Sequence, residues 1–156
     1  MYHKIPFQTV IKIMNLWPPY LGAGVKVRLI DKEKLIIKVQ MGLKLFNKNY
    51  VGVHFGGSLY SMVDPFYMLI LMNKISRDFI VWDKSACIKF VKPGKGTVSA
   101  IFEINDEQVK EIEQKVRELG KYEPEFKIEI KDETNQVVAV VEKKLWVKLK
   151  REKSDI

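Results

Sequence analysis

The chain has 156 residues, a formal charge of +8, 47% apolar residues and one cysteine, Cys87. That length can bury a core in one domain. A lone cysteine excludes an internal disulfide and suits a reducing cytosol, and with only His3 and His54 beside it a closed zinc site has too few ligands. The basic surplus is strongest at the end, in Lys143, Lys144, Lys148, Lys150, Arg151 and Lys153. It can attract nucleic acid, an acidic membrane surface or a phosphorylated small molecule, or it can be a lysine-protected strand edge. No helix-turn-helix, zinc-finger or RNA-binding signature accompanies it, which argues against a nucleic-acid partner. The opening residues, Met1 to Pro6, lack the apolar run and cleavage site of a signal peptide. A cytoplasmic protein without a membrane span is expected.

Phe7 to Leu16 fits a short helix with apolar Val10, Ile11, Ile13 and Met14, ended by Trp17-Pro18-Pro19-Tyr20. Val25–Ile30 and Leu35–Met41 read as a hairpin around the polar turn Asp31–Lys34. An irregular loop from about Gly42 to Gly57 follows. Phe79–Val91 and Thr97–Ile104 read as strands on either side of the turn Lys92–Gly96. Asn105 and Gln108 have the spacing of a capping box. Val109, Ile112, Val116 and Leu119 then form one stripe of an amphipathic surface helix that Gly120 stops. Phe126–Lys131 and Val137–Leu149, the latter with a lysine-rich face, complete the strands.

Between the loop and the third strand lies a run from Ser58 to about Asn73 that is apolar on nearly every face, with one acid, Asp64. A helix apolar all round is a membrane span or the centre of a fold. This run is shorter than the about 20 residues a span needs, and Asp64-Pro65 interrupts it. The expected fold is therefore α+β: one domain over 1–156, an antiparallel sheet wrapped around a long central helix. An extra N-terminal helix and a surface helix between strands four and five complete it. A competing reading breaks the helix at Asp64-Pro65, with Asp64 as N-cap and proline at the first helical position.

The pattern Asn49-Tyr-Val-Gly52-Val-His-Phe55-Gly56-Gly57-Ser-Leu-Tyr-Ser-Met-Val-Asp64 resembles the hotdog-fold acyl-CoA thioesterases, particularly the PaaI-like branch, where a loop asparagine precedes a His-Gly-Gly turn and an acid follows on the helix. The closest resemblance is to an uncharacterised branch with a Phe-Gly-Gly turn, an Asp-Pro-Phe on the helix and a Val-Trp-Asp-Lys-Ser-Ala strand start, here Val81 to Ala86. Two positions depart from the better-known enzymes: Phe55 stands in place of histidine, and Asp83 where several carry serine or threonine. The resemblance implies hydrolysis of an acyl-CoA or related thioester. Asp64, Gly57 and Asn49 would be catalytic, and Phe55, Gly56, Tyr60, Trp82 and Asp83 would bind substrate. It implies no cofactor beyond coenzyme A as part of the substrate, and a homodimer or a dimer of dimers. The alternative is a non-catalytic acyl-thioester binding module of the same fold.

The residue types suit that chemistry. Glycines at a helix start let a carbonyl oxygen approach unpaired N–H groups, and a Gly57 N–H there would stabilise a developing oxyanion. A nearby carboxylate can activate water or attack directly, and an apolar surround would raise its pKa. Gly57 and Asp64 are about two helical turns apart, roughly 10 Å at 1.5 Å per residue, too far to share one carbonyl in a straight helix. Two antiparallel helices across a two-fold axis would pair Gly57 of one chain with Asp64 of the other. Gly56-Gly57 also reads as a plain tight turn, Asn49 as a loop residue, His54 as pocket wall, and Tyr60 and Trp82 as core. Lys92 and Lys95 can meet coenzyme A phosphates or simply be solvated.

Overall fold

The computed structural model describes residues 5–150; His3, Arg151 and Lys153 lie outside them. The chain runs α1 (Phe7–Met14), α2 (Pro18–Ala23), β1 (Val25–Asp31), β2 (Ile36–Gly42), a 3-10 turn at Leu45–Asn47, α3 (Gly56–Ser61), α4 (Phe66–Lys74), β3 (Phe79–Phe90), β4 (Thr97–Phe102), α5 (Asp106–Leu119), β5 (Lys121–Tyr122), β6 (Glu125–Asp132) and β7 (Val137–Leu149). Every strand joins one antiparallel sheet in the order β1-β2-β4-β6-β7-β3, with short β5 beside β7. The curled sheet holds α3 and α4 against its inner face.

The two ends of the chain's first third are fixed by simple devices. Asn15 holds α1 to β1, donating to Val27 O at 3.0 Å and accepting the Val27 N–H at 2.8 Å. Pro18 and Pro19 do not merely end a helix, as expected from their missing N–H groups; they occupy the first turn of α2, where no intrahelical donor is needed. Ile13, assigned above to the apolar stripe, is exposed, and only Ile11 and Met14 of α1 are buried. The β1–β2 hairpin forms as expected, its turn held by Asp31 Oδ1 accepting the Glu33 and Lys34 N–H groups. The surface helix α5 has its reciprocal cap, Gln108 N–H to Asn105 Oδ1 at 2.8 Å and Asn105 N–H to Gln108 Oε1 at 3.0 Å, and ends on left-handed Gly120. Leu119 falls outside its buried stripe and is exposed.

The central helix is not continuous. Residues 62–65 form a turn between α3 and α4, and Asp64 lies in that turn. The break follows from Pro65, which cannot donate within a helix. Asp64 does not cap α4, however; the capping position is Pro65, without a side-chain bond. The helical pair is still the centre of the core, with Met62, Val63, Phe66, Ile70 and Leu71 fully buried.

Two irregularities shape the sheet. In β3 the pairing with β7 shifts between Asp83 and Ser85, leaving Lys84 as an extra residue. Phe79, Val81 and Asp83 face inward before this bulge; after it Ala86, exposed, and Ile88, half-buried, stand opposite Lys143 and Val141. Elsewhere, β4 and β6 pair only at Val98–Asp132 and Ser99–Lys131. Beyond that point the strands part around a cleft of about 470 Å³ lined by residues including Ala100, Ile101, Ile128 and Glu129.

Tyr67 on α4 shows how tightly the sheet closes on the helices. Its ring stacks on Phe126 at 4.6 Å, its hydroxyl donates to Lys127 O at 3.1 Å, and burial pushes its pKa from 10.0 up to about 12. The unfolded chain releases this proton near 10.0 while the fold retains it to about 12. Across that window the native state binds more protons, so stability falls as pH rises. In urea titrations, Tyr67→Phe is expected to lose stability less steeply than wild type over that window, while costing about 1 kcal/mol at neutral pH for the lost bond.

Candidate active site

The loop before α3 is built by its own polar side chains. Asn49 Oδ1 accepts the N–H groups of Val51 and Val53, both at 3.1 Å, and the Asn49 N–H donates to Val53 O at 2.8 Å. Its side-chain oxygen is therefore spent on the loop. Asn47, not singled out above, is buried and joins three segments: it donates to Ala23 O and Gly42 O, each at 2.8 Å, and accepts the Lys44 N–H at 2.7 Å. His54 is buried against the turn after β3, with its N–H on Gly94 O at 3.0 Å and its Nε2 3.0 Å from Gly96 O. Burial lowers its pKa, partly offset by the Gly96 carbonyl. This histidine anchors the turn.

That loop delivers Phe55, Gly56 and Gly57 to the start of α3. Ser58 and Leu59 N–H groups donate to Phe55 O at 3.0 and 3.1 Å. The N–H groups of Gly56 and Gly57 precede the first intrahelical bond and have no carbonyl to meet. Both glycines have a packing reason as well. A Cβ on Gly57 would lie 2.5 Å from the Phe55 ring, and one on Gly56 would lie 2.7 Å from the Phe90 ring. Phe55 and Phe90 are themselves more than half exposed, as is Trp82 on β3.

One α3 turn further on, Tyr60 and Asp64 meet a residue that the reading of the sequence left among the solvated lysines. Lys143 on β7 points inward, with a side chain only 1% exposed. Its Nζ lies 2.5 Å from Asp64 Oδ1, 2.9 Å from Asp83 Oδ1 and 3.4 Å from the Tyr60 hydroxyl, and 5.5 Å from the Tyr60 ring centre. Tyr60 is in turn 3.5 Å from Asp64 Oδ1. Tyr20 on α2 donates its hydroxyl to the Asp64 carbonyl oxygen. Asp64 thus sits against a cation, not in the apolar surround expected for it. Its side chain remains 42% exposed, so the carboxylate has one held and one open side.

Burial alone would lower the Lys143 pKa, but the contacts to Asp64 and Asp83 outweigh it and raise it from 10.5 to about 12. Burial raises the pKa of Asp83, while Lys143 pulls it back down. Asp83 Oδ1 is close enough to Lys143 for an ion pair but off the direction of a hydrogen bond, which leaves that buried oxygen without a donor. The structure therefore brings Asp64, Tyr60 and Asp83 together, places Phe55, Gly56 and Gly57 at the entry of the same helix, and leaves Asn49 bonded within its loop. The signal for Lys143 was present: Ala139, Val141, Lys143, Leu145 and Val147 share the inward phase of β7, and four of the five are apolar. Among the described residues no group of histidine, cysteine and acid side chains could hold a metal ion. Lys92 is tied to Asp132 at 2.5 Å and to Gln136, while Lys95 is exposed.

Residues 8–147 match the family model described as a domain of unknown function, DUF4442. The chain belongs to the DUF4442 family. Its fold is the hotdog fold, as three solved structures show. A Pseudomonas aeruginosa protein of unknown function and probable thioesterase, PA5026, aligns with a TM-score of 0.81 at 17% identity, over 94% of this chain and 97% of that one. The Haemophilus influenzae thioesterase HI1161 gives 0.68 at 16% identity, over 97% and 96%. The E. coli PaaI protein of the phenylacetic acid degradation operon gives 0.62 at 17% identity, over 93% of each chain. A search of curated protein sequences finds no match. Among the described residues of this DUF4442 chain, no helix is long and apolar enough to cross a membrane.

The glycine contacts can be separated experimentally. In Gly57→Ala the new methyl meets only the exposed Phe55 ring, which can swing aside, and the expected cost is under about 1 kcal/mol. In Gly94→Ala the methyl would sit 2.9 Å from Val138 Cγ1 and 3.3 Å from His54 Cδ2, both in buried residues. Overpacking there is expected to cost about 1–3 kcal/mol, read by chemical denaturation.

Proposed function

We propose that this chain hydrolyses acyl thioesters, with acyl-CoA as the substrate class. The observation that carries the reading is Asp64: a carboxylate set in a break of the central helix, one oxygen held by Lys143 and the side chain 42% exposed. In the proposed reaction the thioester carbonyl points at the Gly57 N–H, which stabilises the developing oxyanion by roughly 3 kcal/mol. Asp64 acts in one of two ways. In the first it takes a proton from water as the water attacks the carbonyl carbon, and collapse of the intermediate expels coenzyme A thiolate, which takes up that proton, and leaves the carboxylic acid. In the second it attacks the carbon itself, expelling the thiolate to leave an acyl anhydride on Asp64; a water molecule then hydrolyses this to the carboxylic acid and free carboxylate, and the thiolate takes up the proton released. Tyr60, Asp83, Trp82, Phe55 and Gly56 line the approach. No cofactor is needed apart from the coenzyme A carried by the substrate.

The site is proposed to be shared between two chains, Gly57 of one with Asp64 of the other. The expectation of a straight helix with two turns between these residues no longer applies, because α3 and α4 are separate. The pairing is supported instead by β3, a 12-residue strand at the sheet edge with two exposed aromatics, Trp82 and Phe90, the latter against Gly56 next to exposed Phe55. Light scattering on the active protein tests it, and a fully active monomer would overturn the shared site.

One observation favours a second reading, that of an acyl-thioester binding module without turnover. The Phe55 ring packs directly against Gly57, at the place a thioester oxygen would approach. The two readings separate in a coenzyme A release assay over a panel of acyl lengths. Asp64→Asn is expected to lower turnover by about 10²- to 10⁴-fold with binding retained. Equal, slow release by both proteins that nonetheless bind acyl-CoA would establish the binding module.

A further inference from the structure

Lys143 occupies an inward position on β7 opposite Phe126 of β6 and Ala86 of β3. An apolar side chain would serve that slot at least as well for stability, since a buried ion pair seldom outperforms well-packed hydrophobic residues. The lysine is also unsuited to reacting itself. Its pKa, raised to about 12, keeps it protonated, so it is neither base nor nucleophile. Its ammonium is surrounded by Asp64 from the helix break, Asp83 from β3 and Tyr60 from α3, and its side chain is only 1% exposed. These three are the titratable groups that face it; β6 presents only Phe126 there.

What Lys143 does is divide the Asp64 carboxylate. Oδ1 has Lys143 at 2.5 Å and Tyr60 at 3.5 Å. Oδ2 has no partner among the described residues, on a side chain that is 42% exposed. We propose that Lys143 is the positioning residue of this site, holding Asp64 by Oδ1 so that Oδ2 is the oxygen presented to water or thioester. The inference rests on the reading of Asp64 as base or nucleophile. Asp83 and Tyr60 hold the ammonium from two further elements, so the orientation of Asp64 is set by the sheet, not by its own turn. Removing the cation would also leave two carboxylates facing each other in a half-buried site, which favours uptake of a proton.

The test compares wild type with Lys143→Met and Lys143→Arg. In Lys143→Met, kcat for acyl-CoA hydrolysis is expected to fall about 10- to 100-fold while KM changes little. The acidic limb of the kcat profile should move to higher pH, because the cation that faces both carboxylates is gone. Lys143→Arg keeps the charge but changes its shape; it should restore the acidic limb while recovering only part of kcat. A wild-type kcat and pH profile in Lys143→Met would overturn the proposal. If Lys143→Met does not fold, NMR of the lysine ammonium carries the test in wild type, with Lys143→Arg as the blank that assigns the Lys143 signal. A slowly exchanging Lys143 ammonium coupled through its hydrogen bond to the Asp64 carboxyl is expected, and a freely exchanging one overturns the inference. The same spectrum decides the matter if no thioester is hydrolysed: the functional reading then fails, while the hold of Lys143 on Asp64 is still read directly.

Discussion

A single buried ammonium organises this molecule's interior chemistry. Lys143 stands on the inner face of β7, where every other same-phase neighbour is apolar, and it is tolerated because acids from two other elements come to it. Pro65 breaks the central helix and leaves Asp64 in the gap; Asp83 comes from the inward phase of β3, just before the Lys84 bulge. Without these acids the ammonium would lack a counter-charge, and an unpaired buried charge is among the costliest features a fold can carry. The helix break, the inward acid of β3 and the lysine are thus one device distributed over three stretches of sequence.

The glycine entry of α3 has a double physical reason. Its first N–H groups are free to meet an oxygen, as helix starts always leave them. Yet the rings of Phe55 and Phe90 lie so close to the two glycines that a side chain at either position would have to displace a ring. The aromatic Phe55 therefore shapes what surrounds the helix start, while the glycines set the backbone there. The entry is still glycine-built, but it is roofed by an exposed hydrocarbon face.

Much of this fold was legible from periodicity. The β1–β2 hairpin, the capped amphipathic α5 and the alternating β6 follow from apolar spacing and from residues such as Asn105, Gln108 and Gly120 that announce helix ends. Sheet order was not, because nothing local says that β3 and β4, joined by the short turn at 92–96, lie apart with β6 and β7 between them. At the site, Asp64 stood out as an acid in an apolar run. Lys143 did not, because it is flanked by Glu142 and Lys144 and reads as one member of a charged stretch until the phase of β7 is followed through it. Asn49 left two roles open in the sequence, and the structure adds that its side-chain oxygen accepts the Val51 and Val53 N–H groups of its own loop.

The parting of β4 from β6 has a consequence for how the molecule holds together. Only two residue pairs join these strands, so the sheet consists of a three-stranded half, β1-β2-β4, and a second half carrying β6, β7 and β3. Each half meets the other with a strand that is largely unladdered on that side, and the sheet has in effect four edges where its strand order suggests two. Beyond those two pairs the halves are fastened by side chains beneath the seam, Phe66 and Tyr67 of α4 against Phe102 of β4, and Tyr67 against Phe126 of β6. Lys143 and Asp83 belong to the same half, on the directly paired strands β7 and β3, so their ion pair does not cross the seam, while Asp64 and Tyr60 come to it from the helices.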